Sequence, residues 1–514
     1  MPTFTDDQLA NIQGVGIAGF RKDHQRFLFV RFRDSTTGTA LLRAVTDRIA
    51  SASEVGQFNA LFSAIRRRTG EDPSVKATWT GLLVSSAGYA KLGVNLDAEL
   101  PASDGSVAFK AGMAARSAFI GDTRSKDAPS QWKPEFRPPE RIDAVLVVAA
   151  DDPEDLDETA IRLSDAITDA GCELVGNFRG ATLEGAMRGH EHFGNKDGIS
   201  QPAIVGYGNA PAVGEPDAVP AGEFVLGYPD QNGAPATVGD LWNDGSFVVY
   251  RLLLQDVVAY RKQLAAGVPG ADPAISSEVL GAKLVGRWPS GASLAMNPEL
   301  DPGLGHEDNA FNYKASPVND DLGLITPRFA HIRKAFPRDE TTPDPIGDDP
   351  RRHRMIRRGI PFGEAMLEGD SGADTGERGL HFVCFVSDLA RQFEFVQQNW
   401  LNNANFPNGQ VTTPGQGYQP PTTEPPDGPD PIVGEHDDAS PVAFHQLGGV
   451  RPLPILTEVV TNAGGEYFFC PSISAITKLA GGATASTVVA PPAAATTAAP
   501  PSPQAAPPSN PAVG

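Results

Sequence analysis

The sequence predicts an α+β fold of two ferredoxin-like (split βαβ) domains with antiparallel sheets. Three observations carry that expectation. The first half runs β-α-β-β-α-β, and the second half repeats the theme with long insertions. Apolar residues make up 40% of the 514-residue chain and charged residues 20%, enough to build a sizeable core.

The elements follow in order. Arg26–Phe32 (Arg-Phe-Leu-Phe-Val-Arg-Phe) alternates as a strand, and helical periodicity covers about Ala40–Arg68 with a break near Ser51–Ser53. Lys76–Ser85 and Ala144–Ala150 are β-rich, Glu154–Ala170 is helical, and Cys172–Thr182 is again a strand. In the second half, Gly245–Gln255 and Gly379–Ser387 read as strands, each followed by a helix, Asp256–Ala266 and Leu389–Trp400. Glu466–Cys470 is the closing strand. Gly, Pro and Ala crowd the stretch Tyr207–Val219, which sets the expected division into domains at 1–215 and 216–480. Asn405 to about Pro441 is rich in Pro and Gly and reads as a long surface loop within the second domain. Gly481–Gly514 carries no charge and is mostly Ala, Pro, Thr, Ser and Val, the composition of a disordered tail.

Charge and cysteine content narrow the classes of function. Lys and Arg number 42 against 63 Asp and Glu, a net charge of −21 that repels nucleic acid and anionic membrane. No run of about 18 apolar residues suggests a membrane span. The first residues, Met1-Pro2-Thr3-Phe4-Thr5-Asp6-Asp7, lack a basic, then apolar, leader. Cys172, Cys384 and Cys470 are too few for a disulfide framework. A cytoplasmic location is the expectation. No C-x-x-C spacing is present, which disfavours thiolate zinc and covalent c-type haem.

Three segments could carry chemistry. No H-E-x-x-H helix, G-x-S-x-G elbow or Walker A loop occurs, so hydrolase and triphosphatase readings lack support. His190 and His192 flank Glu191 and could share a face, although an exposed loop before a glycine turn is the plainer reading. In Phe193-Gly194-Asn195-Lys196-Asp197-Gly198-Ile199-Ser200-Gln201-Pro202, two glycines bracket a charged pair and permit close approach to a flat ligand. Thr326–Arg338 sets His331 among small and apolar residues beside several cations. In Met355-Ile356-Arg357-Arg358-Gly359-Ile360-Pro361-Phe362-Gly363, an arginine precedes a turn.

Taken together and in this order, Gly194-x-x-Asp197-Gly198, Ala330-His331-Ile332-Arg333 and Ile356-Arg357-x-x-Ile360-Pro361-Phe362-Gly363 resemble the haem-site motifs of the dye-decolourising peroxidases. The resemblance extends from Asn11-Ile12-Gln13-Gly14 through Gly245-Ser246-Phe247, Val285–Gly291 and Gly379-Leu380-His381-Phe382 to Gly464–Ser472. Length and insertions are similar to the larger, fungal-like subclass. The implied fold is two ferredoxin-like domains with haem in the C-terminal one.

The resemblance implies a non-covalent haem b (iron protoporphyrin IX) with His331 as its proximal, metal-binding ligand. A second-sphere acceptor should hold the other ring nitrogen, and Glu394 is one candidate. Asp197 and Arg357 are the implied catalytic pair over the opposite face, although Arg358 beside Arg357 leaves open which arginine faces the haem. Leu380 and Phe382, two apart on a strand, are the expected apolar cover. Arg333 is a candidate partner for a haem propionate, with a surface ion pair as the alternative. The five Trp (Trp79, Trp132, Trp242, Trp288, Trp400) and Tyr250 are possible electron relays, with core packing as the plainer role. The implied partners are hydrogen peroxide and a bulky phenolic or dye-like reductant. A haem carrier or iron-releasing protein would keep His331 but need no Asp–Arg pair.

Overall fold

Apolar runs with β-branched and aromatic residues become the strands of the computed structural model. It describes residues 4–481 except 71–72, 101, 124–125, 138–141, 209–210, 212–214, 234–237, 272–273, 308, 316–317, 340–348, 367–375, 408–425, 437–440, 447–448 and 456. The tail beyond 481, and Pro420–Pro426 up to residue 425, thus lie outside the described residues.

In the first half the strands are β1 (His24–Arg31), β2 (Thr78–Ser85), β3 (Ala144–Ala150) and β4 (Glu173–Ala181). The second half supplies β5 (Ser246–Gln255), β6 (Ile356–Arg357), β7 (Ile360–Phe362), β8 (Gly379–Val386), the hairpin β9 (Val442–Gln446) and β10 (Gly449–Leu453), and β11 (Val460–Cys470). The main sheet runs β4-β1-β3-β2-β11-β5-β8-β6, with β7 also on β8, and its pairings are antiparallel. With the short β6 and β7 taken as one interrupted strand, each half lays its strands in the order fourth, first, third, second. Both ferredoxin-like motifs are therefore present, joined edge to edge in one sheet.

The joint is narrow. Strands β2 and β11 pair only through Phe468 with Ser85 and Phe469 with Val84. Gln13, buried beside it, extends the seam with its side-chain amide. Nε2 donates to the carbonyls of Leu82 (2.9 Å) and Pro471 (2.7 Å), while Oε1 accepts from Leu82 N–H (2.9 Å). At the far edges the sheet curls until β4 meets β7. A Cβ on Gly180 would stand 2.5 Å from Ile360, so only glycine admits that approach.

Helices form where capping and periodicity agree. Asp34 caps Ser35–Val45, and Ser51 with Glu54 makes a capping box on Ala52–Thr69. Pro153, the first residue of Pro153–Asp169, follows the capping Asp152. Three features depart from expectation. Helices Asp104–Ala111 and Met113–Ile120 fill the β2–β3 connection, where none was predicted. The expected helix Leu389–Trp400 winds as π-type turns over Ala390–Glu394 and Val396–Leu401. The described part of the Pro/Gly-rich segment is not wholly surface loop, because Asp427 and Asp430 are fully buried. No helix among the described residues is long and apolar enough to cross a membrane.

Candidate active site

His331 opens the short helix His331–Ala335 and lines a cavity of about 580 Å³. Its Nδ1 lies 2.7 Å from Oδ2 of Asp430, which is fully buried. The other carboxylate oxygen of Asp430 accepts from the N–H groups of Ile432 (2.7 Å) and Val433 (3.1 Å). Burial works against charge on both partners. Attraction to Asp430 nevertheless raises the His331 pKa, and attraction to His331 with the two N–H donors lowers that of Asp430. The arrangement makes Nδ1 the proton-bearing nitrogen and leaves Nε2 available to a ligand in the cavity.

Glu394 does not perform that second-sphere role. Its carboxylate accepts from Arg116 Nε (2.9 Å), Arg116 Nη2 (2.6 Å) and the Tyr467 hydroxyl (3.0 Å). Asp430, the residue in its place, sits in Pro429-Asp430-Pro431, inside the stretch whose composition suggested a loop.

Asp197 and Arg357 also line the cavity, and their charges act on the His331 ring with opposite sign. The Asp197 loop turns at Gly194 (φ 95°) and Gly198 (φ 77°), conformations that favour glycine. Glu191 organises the loop by accepting from Phe193 N–H (2.9 Å), Asn195 N–H (2.9 Å) and Asn195 Nδ2 (3.0 Å). Oδ1 of Asp197 accepts from Gly198 N–H at 2.6 Å. His190 and His192 turn instead to the carbonyls of Arg188 (3.1 Å) and Phe362 (2.8 Å). No group of three or more His, Cys, Asp or Glu among the described residues is arranged to hold a metal ion.

Gln201 ties this loop to β6. Its Oε1 accepts from Arg357 N–H and its Nε2 donates to the Arg357 carbonyl, both at 3.1 Å. The adjacent arginines differ in their anchors. Arg358 donates through Nε to Gly16 O (2.9 Å) and through Nη2 to Ile17 O (3.0 Å). The Arg357 guanidinium has no comparable anchor among the described residues. Leu380 and Phe382 both line the cavity from β8, and His381 between them points to the opposite face.

Arg333 is a correction. Two residues along a helix do not share a face, and the Arg333 guanidinium turns away from the cavity. It donates to Thr326 O (2.6 Å) and Asp320 O (3.0 Å), approaches the Asp320 carboxylate at 3.3 Å, and lies over the Tyr313 ring. The cavity cation that sequence reasoning missed is Arg354. It is buried, lacks a carboxylate partner among the described residues, and faces Arg357 and Arg338. Burial and those two cations push its pKa down to about 9. Such a group fits an acidic ligand. Trp132, Trp242, Trp288 and Trp400 are fully buried in the core, and Trp79 is half-buried against Phe58.

Comparison with known proteins gives the same direction. Residues 11–182 match the model of the DyP dimeric alpha+beta barrel domain, and residues 310–411 that of the Dyp-type peroxidase C-terminal region. The chain is 31% identical over 508 residues to a dye-decolorizing peroxidase of Mycena epipterygia, covering 91% of this chain and 86% of that protein. It is also 31% identical over 484 residues to the multifunctional dye peroxidase DyP2 of an Amycolatopsis species, covering 89% and 93%. A crystal structure of a decolorizing peroxidase from Auricularia auricula-judae superposes with a TM-score of 0.72 at 28% identity, over 92% of this chain and 99% of that one.

Proposed function

The chain belongs to the dye-decolourising peroxidases, haem-dependent oxidoreductases, and from that premise we propose which of its residues do the work. His331 would hold the haem iron through Nε2, with Asp430 fixing the tautomer and raising the basicity of the ring. Haem, when bound, supplies the reduction of hydrogen peroxide and the oxidation of organic donors. The fit rests on three features of this chain. The cavity volume is within the ~300–1,000 Å³ range of ligand pockets, one imidazole nitrogen is free to ligate, and buried Arg354 lacks an anionic partner among the described residues. Non-covalent haem b is the favoured form, since none of the three cysteines lines the cavity.

The opposite wall performs the proton chemistry. Asp197 takes the proton from one peroxide oxygen and delivers it to the other, which becomes the leaving group. General acid–base help of this kind is worth ~10²–10⁴-fold. Arg357 stabilises negative charge developing on the departing oxygen. Leu380 and Phe382 limit access by water and bulky donors, so phenolic or dye-like reductants give up electrons without reaching Asp197. We assign residues 1–215 and 216–480 as the two domains on the repeated strand order, with the haem-binding role in the second. A reducing, cytoplasmic setting suits three unpaired cysteines.

The observation that carries this reading is one cavity lined by the Asp430-bonded His331 together with Asp197 and Arg357. An absorption spectrum of the haem-loaded protein, before and after one equivalent of peroxide, tests it. A Soret band that shifts on mixing is expected. Loss of that response in Asp197→Asn or Arg357→Leu would support the assigned roles, and an unchanged response in both would remove them.

A further inference from the structure

On the face of β5 and β8 turned away from Arg251 and Phe382 lies a buried polar pair. The Tyr250 hydroxyl and Nδ1 of His381 are 2.8 Å apart, and Nε2 of His381 is 3.3 Å from the Arg179 carbonyl. That carbonyl can only accept, so Nε2 carries the ring proton. Nδ1 is therefore the acceptor and the Tyr250 hydroxyl the donor. Burial pushes His381 down to about 4, against a smaller opposing pull from the Arg179 carbonyl, and pushes the Tyr250 phenol well above its ordinary value. At neutral pH the pair is a protonated phenol on a neutral imidazole.

The surroundings select what such a pair can do. Tyr250 touches Phe27, Phe29 and Phe136, with ring centroids 5.5, 5.0 and 5.7 Å away. His381 touches Phe27, Phe178 and Phe362. Phe27, in ring contact with both members of the pair, also lines the cavity. No tyrosine or tryptophan other than Tyr250 is in ring contact with these residues among those described. An apolar side chain at 381 would suit the core better, and among the described residues the polar partners of this histidine are Tyr250 and Arg179.

We propose that Tyr250, with His381 as its proton acceptor, is a one-electron reservoir that is filled and emptied from the cavity side. This rests on the peroxidase reading above. Tyr250 gives one electron to the peroxide-oxidised cofactor. Its O–H bond breaks, and the proton passes to Nδ1, leaving a neutral phenoxyl radical hydrogen-bonded to an imidazolium. One electron from the organic reductant and the proton from Nδ1 restore the starting pair. Phenylalanine is much harder to oxidise than tyrosine, so none of the described rings in contact with the pair offers a further site for the radical. The radical is stored rather than conducted.

The test freeze-quenches the haem-loaded protein after one equivalent of peroxide without donor and records electron paramagnetic resonance spectra. A tyrosyl signal is expected that disappears in Tyr250→Phe. In His381→Leu its yield should fall by about tenfold or more, on the scale of a lost general base. Protein labelled with 15N-histidine supplies a check that needs no variant, because the radical should couple to a histidine nitrogen through an exchangeable proton. A signal that survives Tyr250→Phe, or lacks histidine coupling, would overturn the proposal. A cofactor spectrum that responds to peroxide without any tyrosyl signal would overturn it alone, whereas no optical response would remove the peroxidase reading as well.

Discussion

His331 and Arg357 line one cavity, yet opposite means hold them. On the His331 side the imidazole is fixed through its side chain, with Nδ1 on Asp430 and Asp430 in turn on two backbone N–H groups. On the Arg357 side the backbone is fixed instead. Gln201 brackets its peptide and Arg358 is anchored to the first strap of chain, while the Arg357 guanidinium keeps its donors spare among the described residues. The difference fits the roles proposed above. A metal ligand must not rotate, whereas groups that move a proton and meet a transient anion need unspent hydrogen-bonding capacity.

The sharpest way to break this contrast is to remove the proposed ligand. His331→Ala should lose haem or hold it so loosely that gel filtration strips it, read from the Soret band. Asp430→Asn should weaken haem affinity or activity by about 10–100-fold, the usual scale for a lost second-sphere partner. Haem titration measures the affinity. The opposite wall should behave differently. Asp197→Asn and Arg357→Leu should keep haem but slow the peroxide-driven spectral change by at least ~10-fold in stopped flow. Equal haem loss in all four variants would abolish the distinction between the walls.

A smaller effect concerns the reverse face of β8. The folded-state pKa of His381, about 4, lies below that of the unfolded chain, because burial disfavours the imidazolium. The unfolded chain then binds more protons between roughly pH 4 and 6.5. This contribution to stability is complete above about pH 6.5 and drains away as pH falls through 4. His381→Leu should flatten that slope, by about 2–3 kcal/mol across the window. Denaturant melts at pH 7 and pH 4 measure it.

Much of the scaffold is legible in the sequence because burial on both faces leaves an uninterrupted signal. Ala144–Ala150 is such a strand, read residue for residue. Two-residue β6 and three-residue β7 are too short to show any period, and only pairing with β8 defines them. For the candidate site, the segments around Asp197, His331 and Arg357 are recognisable because glycines and prolines punctuate them. Asp430 is not, since Pro and Gly around an aspartate look alike in a solvated loop and in a buried acceptor for imidazole. Glu394 and Arg333 mislead for a related reason: proximity in sequence says nothing of which partner, Arg116 or Asp320, captures a charge first. Gln201 and Arg354 carry no local signal at all, because their meaning lies in groups more than a hundred residues away or in like charges gathered by the fold.

The opening stretch of chain, with Gln13 in the seam and Gly16 and Ile17 under Arg358, makes the two halves poor candidates for exchange as independent modules. A swap of either half between relatives would bring a foreign strap to the strand that bears Arg357. Chimeras joined at the midpoint of the chain should therefore inherit a misaligned cavity even when each parent half is intact, and grafting the first twenty residues together with the second half is the cut that respects how the molecule is laced.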